Sequence, residues 1–205
     1  SGFEMKHGRL KLSKIGIIKI KLHRPIAGKM KTCSITRKNG KYYACFSCEV
    51  ETMPLPQKGN VVGIDVGISH LAITSAGEFF PKSDNLRKTE KNLKRLQKTV
   101  SRRKKGSNRR KKAVRELAVA HEKVQNQRKD YAHKVSASLV AENDMIAHED
   151  LKITNMVKNH NLAKSINDAS WGMLFQFLQY KAENAGRVVV PVPPHHTSQI
   201  CSSCG

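Results

Sequence analysis

Apolar and polar positions alternate with two different periods along this chain, and the change from one period to the other maps its parts. In the first sixty residues the period is two. Ile18, Ile20 and Leu22 alternate with Lys19 and Lys21, while residues 31–36 and 42–50 flank Asn39-Gly40, a dipeptide suited to the positive φ angles of a tight hairpin turn. Tyr42, Ala44, Phe46, Cys48 and Val50 would then share one face. The run Met53-Pro-Leu-Pro-Gln-Lys-Gly59 breaks the pattern and predicts a boundary. Beyond it, residues 61–67 form a short apolar strand interrupted by one acid, Asp65. Residues 71–75 and 78–80 follow as two more strands around a turn at Ala76-Gly77.

From Leu86 to Leu139 the period becomes helical. Leu86, Leu93, Leu96 and Val100 mark one helix. Val114, Leu117, His121, Val124, Arg128, Tyr131, Val135 and Leu139 mark another, with Gly106-Ser107-Asn108 as the break between them. Two antiparallel helices packed along these stripes are the simplest solution. Residues 145–149 return to strand. A further helix is expected with Asn167 or Asp168 as its cap and Gly186 as its end, and residues 187–192 make a last strand. Trp171, Leu174, Phe175, Leu178 and Ala182 are its core-facing residues. Three strands, a long helical insert, then strand, helix and strand predict an α/β fold with a mixed sheet of ribonuclease-H-like character.

Charge changes the picture more than composition does. Lys and Arg number 38 against 16 Asp and Glu, a net charge of +22, far beyond what solubility needs, so a polyanionic partner is implied. No apolar run approaches the ~20 residues of a spanning helix, and lysines interrupt every apolar stretch near the start, which excludes a membrane span and a signal peptide and predicts a cytoplasmic protein. The cations concentrate in the helical region. Between Arg87 and Lys112 only Glu90 opposes them, and Lys94, Arg95, Lys98, Arg102, Arg103, Lys104, Lys105, Arg109, Arg110, Lys111 and Lys112 form the predicted nucleic-acid contact. Few aromatics accompany them, so the contact is expected with backbone and duplex shape rather than with bases.

Asp65 is the sharpest chemical signal, flanked by Ile64 and Val66 with Gly63 and Gly67 beyond. It reads either as a strand-end cap or as a cation ligand. Glu149 ends the next strand of the same sheet, so the two carboxylates can converge at one edge. At ~4 Å they would repel by about 4 kcal/mol at an effective dielectric of ~20, a cost that a divalent cation removes. Mg²⁺ or Mn²⁺ held by such acids suits phosphodiester hydrolysis. Asp150, next in the chain, points the other way and reads as solvated or capping; Asp144 reads as a turn residue, and His148 as a half-buried sheet histidine. Cys201 and Cys204 have the spacing of one half of a tetrahedral Zn²⁺ site, whereas Cys45 and Cys48 share that spacing inside a strand, where it puts the thiols on opposite faces.

Gly63-Ile-Asp-Val-Gly67, His148-Glu-Asp-Leu151, Asp168-Ala-Ser-Trp171 and Thr197-Ser-Gln-Ile-Cys-Ser-Ser-Cys-Gly205 together resemble, in order and spacing, the RuvC-like nuclease of the TnpB family, the RNA-guided nucleases of insertion sequences related to small type V CRISPR effectors. The opening hairpin resembles the end of that family's wedge domain. The resemblance implies a wedge-like region over 1–58, a RuvC-like core over 59–194 with a helical hairpin at 85–140, and the start of a zinc ribbon at 195–205. It implies Asp65 and Glu149 as the first two catalytic acids, with a third beyond the ribbon. It also implies a guide RNA and a target DNA as partners, and a piece of a longer protein, inactive by itself. Binding without cleavage, by an RNA-guided protein that has lost its nuclease or by a general basic nucleic-acid-binding domain, is the alternative from another functional class.

Overall fold

The computed structural model describes residues 2–82, 85–156, 158, 166 and 170–193, the side chains of 85–88 excepted. The chain divides into two units, Ser1–Thr52 and Met53–Gly205. In the first, β1 (Phe3–Lys6), β2 (Arg9–Leu12) and β3 (Gly16–Lys19) form an antiparallel sheet, and β4 (Lys29–Lys38) pairs with β5 (Lys41–Glu49). Asn39 and Gly40 make the β4–β5 turn with φ of 49° and 81°, angles that asparagine and glycine tolerate best. Ala44, Phe46 and Cys48 lie half-buried on one face of β5, while Tyr42 at the turn is exposed. Leu10 is the fully buried side chain of this unit, and the Phe3 and Phe46 rings meet at 6.1 Å. The strand expected to include Ile20 and Leu22 ends at Lys19, since only Gly16 to Lys19 pair with β2.

The second unit is built on a five-stranded mixed sheet. Its strands are β6 (Val61–Asp65), β7 (His70–Thr74), β8 (Phe79–Pro81), β9 (Met145–Glu149) and β10 (Val188–Val192), in the order β10-β9-β6-β7-β8. β10, β9 and β6 run parallel, whereas β6, β7 and β8 are joined antiparallel by short connections. Between β8 and β9 come the helices α1 (Asn85–Arg102) and α2 (Asn108–Glu142), which pack on each other. The short α3 (Ile153–Met156) and then α4 (Trp171–Ala185) stand between β9 and β10. Val62, Ile64 and Ile146 on one face of the sheet meet Val135, Leu139 and Val140 of α2 and Trp171, Leu174, Leu178 and Ala182 of α4 in one buried cluster. The Lys181 ammonium ties α4 to α2, donating to the His133 carbonyl at 2.6 Å and to Ser136 Oγ at 2.8 Å; burial pushes its pKa below the usual lysine value.

Capping follows local chemistry. Ser107 accepts from the Arg110 N–H and starts α2. Gly186 ends α4 with φ of 65°, and a Cβ there would fall 2.9 Å from that of Pro54, so glycine is required on both counts. Two expectations need correction. The helical stripe is right over the second half of α2, but Val114 is 42% exposed and His121 is exposed, the buried position at the head of the helix being Ala113. α4 opens with Ser170 at its N-cap, in a left-handed conformation with φ of 58° and with no side-chain cap hydrogen bond; the expected caps Asn167 and Asp168 lie outside the described residues.

Candidate functional site

Strand β6 closes on Asp65 and strand β9 on Glu149. The parallel register runs Val61 to Met145, Val62 to Ile146, Gly63 to Ala147 and Ile64 to His148, so the next residue on each strand is an acid. Strands lie about 4.8 Å apart, and aligned residues share a face, which makes the two acids lateral neighbours at the carboxyl edge of the sheet. Ile73 is the partner of Asp65 on its other side, and Val192 that of Glu149. The row is therefore apolar, acid, acid, apolar.

Alternation puts the acids on the face opposite Val62, Ile64 and Ile146, away from α2 and α4. That face is open. Val61, Met145 and Val188, aligned across it, are 67%, 39% and 52% exposed. Asp65 is exposed, and no hydrogen bond or ion pair joins its side chain to another described residue. A Cβ on Gly63 would meet only the Ser75 side chain at ordinary contact distance, so that glycine is not demanded by crowding or by its own backbone angles. Carboxylate oxygens are the ligands Mg²⁺ prefers, and an exposed acid beside a second one fits such an ion in donor chemistry. Among the described residues no group of three His, Cys, Asp or Glu side chains gathers to hold a metal.

The acids nearby do other work. Asp150 turns away and ion-pairs with Lys152 at 2.7 Å, whose hydrogen bond and charge hold its carboxyl below the usual range. Asp144 is more than a turn residue. Burial pushes its pKa up, but the N–H groups of Gly59 and Lys58 and the Arg187 guanidinium outweigh that and hold it low. Arg187, almost fully buried, pairs with Asp144 and donates to the Pro56 carbonyl at 2.7 Å, strapping the segment before β6 against β9 and β10. The signal in the sequence was an arginine heading an apolar strand, a position that calls for a buried partner. His148 is half-buried as expected, with its ring stacked on Phe175 of α4, centroids 4.1 Å apart.

The cationic residues sit around one turn of the structure. Lys94, Arg95, Lys98 and Arg102 lie on the second half of α1, Arg103 to Lys105 in the connection, and Arg109 to Lys112 in the first turn of α2; all but the half-buried Arg110 are exposed. Among the described residues Lys94 alone of them has an acidic partner, Glu90 at 2.9 Å. Arg102 complements the negative end of α1, but Arg109 to Lys112 crowd the positive end of α2, where no acid stands in the first turn. That placement costs stability without an anion and favours binding one.

Cys201 and Cys204 lie outside the described residues. Cys45 and Cys48 sit in β5, the first exposed and the second half-buried, so their thiols point to opposite faces. An apolar groove of about 670 Å³ lies within the first unit, lined by residues such as Leu10, Ile18, Tyr42 and Tyr43. Among the described residues no helix is long and apolar enough to cross a membrane.

Comparison with known proteins places these features. The OrfB_IS605 family model, described as "Probable transposase", matches residues 45–160, and a model described as "Cas12f1-like, TNB domain" matches residues 171–205. A protein of Streptomyces pristinaespiralis named "Putative RNA-guided DNA endonuclease" is 35% identical over 210 residues, covering 100% of this chain and 52% of its own. "Putative RNA-guided DNA endonuclease InsQ" of Escherichia coli (strain K12) is 33% identical over 218 residues, covering 98% of this chain and 54% of its own. The chain thus spans about half the length of the curated relatives it matches. A solved structure titled "Cryo-EM structure of the Cas12f1-sgRNA-target DNA complex" is similar with a TM-score of 0.48 and 16% identity over 83% of this chain and 44% of that one.

Proposed function

Because the chain belongs to the OrfB_IS605 (TnpB) family of probable transposases, we propose that it carries two catalytic acids, Asp65 and Glu149, of an RNA-guided, metal-dependent DNA endonuclease. The observation that carries this reading is the in-register placement of those acids at the ends of adjacent parallel strands, on the face of the sheet turned away from α2 and α4. The strand order, three antiparallel strands followed by two parallel ones on the side of β6, supports a ribonuclease-H-like (RuvC) core. In this reading the edge of the sheet at the two acids receives a phosphodiester.

Each part of the chain has a distinct task. Asp65 and Glu149 hold Mg²⁺ or Mn²⁺ with carboxylate oxygens. When bound, such ions supply an activated water and charge stabilisation for the leaving oxygen of the phosphodiester. The cations from Lys94 to Lys112 hold the phosphate backbones of a guide RNA and its paired target DNA, and base pairing selects the sequence. Cys201 and Cys204 contribute two thiolates to a structural Zn²⁺.

The test separates cutting from holding. In the full-length protein bound to its guide RNA, Asp65→Ala removes a metal ligand and leaves the cationic turn intact. Cleavage should fall by at least ~10³-fold while target binding in a gel shift is retained. Reversing the charges of Arg102, Arg103, Lys104 and Lys105 should weaken binding first. If Asp65→Ala cuts at the parental rate, Asp65 is a strand-end residue and the protein binds nucleic acid without cleaving it at this site.

A further inference from the structure

We propose that His148 is a positioning residue for Glu149, fixing the peptide that follows the acid so that its carboxylate is presented beside Asp65. The inference rests on the nuclease reading of that pair. Its starting point is a hydrogen bond. His148 Nδ1 lies 2.9 Å from the carbonyl oxygen of Glu149, and because a carbonyl only accepts, the proton must be on Nδ1. The same oxygen accepts from the N–H of Leu151 at 3.0 Å, so the first peptide beyond β9 is held by two donors.

A residue at a strand end needs such help. The parallel ladder between β6 and β9 is recorded as far as Ile64 and His148 and fixes the acids only through the residues before them. On the other side, Glu149 pairs with Val192 and the Asp150 N–H donates to the Val192 carbonyl at 2.8 Å. The ring that makes the additional bond is itself immobilised. It stacks on Phe175 of α4 with an interplanar angle of 13°, and α4 is anchored in the core by Leu174 and Leu178, both 0% exposed. A continuous line of contacts therefore runs from the buried core through Phe175 and His148 to the backbone of the second acid. Supporting contacts of this kind, behind a metal ligand, are typically worth about 10- to 100-fold in affinity or rate.

Two substitutions divide the ring's packing from its hydrogen bond. His148→Phe keeps a ring against Phe175 and loses the donor; His148→Asn keeps an N–H at the place of Nδ1 and loses the ring. In the full-length protein with its guide RNA, two properties are read: Mn²⁺ binding by electron paramagnetic resonance without target, and cleavage against Mg²⁺ concentration. Positioning predicts that His148→Phe weakens Mn²⁺ binding and slows cleavage about 10-fold or more, while His148→Asn stays within about 3-fold of the parent. Loss in the Asn variant, with or without loss in the Phe variant, assigns His148 to packing and overturns the proposal, as does parental behaviour of both. Asp65→Ala is measured alongside. If it too binds Mn²⁺ and cuts like the parent, the nuclease reading fails, whereas an inactive Asp65→Ala beside a parental His148→Phe rejects only the role of His148.

Discussion

Ile64 lies opposite His148 in the parallel ladder of the central strands, and the residue that follows each of them is an acid. Neither carboxylate is placed by a loop. Both inherit their position from a register enforced by burial, since Ile64 and Ile146 face the core and a slip of one residue would turn them outward.

Glu149→Asp tests how finely that placement matters. The variant keeps the charge and withdraws the carboxylate by one methylene. Displacement by about 1 Å can cost ~10²-fold in catalysis, so cleavage should fall by at least that much with target binding retained. Cleavage within a few-fold of the parent would mean that the length of the side chain is immaterial there.

The cationic turn predicts opposite effects on stability and on binding. Arg110 stands third in α2 and receives no compensation from an acid, whereas Arg110→Glu would complete a capping box with Ser107. The gain should be about 0.3–1 kcal/mol in a chemical denaturation of the free protein. Nucleic-acid binding should weaken together with its salt dependence. If ~8 cations meet phosphates, log affinity of the parent falls with log salt at a slope near −7 on duplex DNA, and the variant's slope should be shallower by about 1 to 2. A parental slope in the variant would place Arg110 outside the contact.

Acid sensitivity is expected from Asp144. Its pKa in the folded protein lies below the usual carboxylate value, so the stability it contributes is present above the unfolded value near ~4 and is lost as pH falls through the folded one. The melting temperature of the parent should therefore drop more steeply below about pH 4 than that of Asp144→Asn, which has no proton to take up. The variant should also be less stable at pH 7, because Arg187 keeps its charge in a buried place. Parallel pH curves would show that Asp144 is not coupled to folding.

The legible part of this protein was the part governed by short-range rules. Asn39-Gly40 announced its turn by local pattern, and the strands that carry Asp65 and Glu149 came from short apolar runs, although β6 stops at Asp65 and not at Gly67. What stayed hidden was tertiary. Nothing near Arg187 in the chain names Asp144 and Pro56 as its partners, 43 and 131 residues away, and the segment before β6 is held by that contact. Phe175 packs against the core as its helical spacing predicts, but its stacking on His148, and the burial of Phe177 against His133, depend on histidines of β9 and α2 that periodicity does not register. At the head of the α2 stripe it is Ala113 that is buried, while Val114 beside it is 42% exposed.

α2 behaves as a ruler. Its 35 residues extend for about 50 Å, with the basic turn at one end and the buried residues from Val135 to Val140 at the other. Adding seven residues would lengthen it by about 10 Å while turning its far end by only ~20°, so the face toward α1 would be nearly preserved. Lengthening the excursion between β8 and β9 costs little loop-closure entropy, about 0.6 kcal/mol per doubling for a flexible segment. The span between grip and blade is thereby free to drift over evolutionary time, one heptad after another, while the sheet that aligns the acids stays as it is.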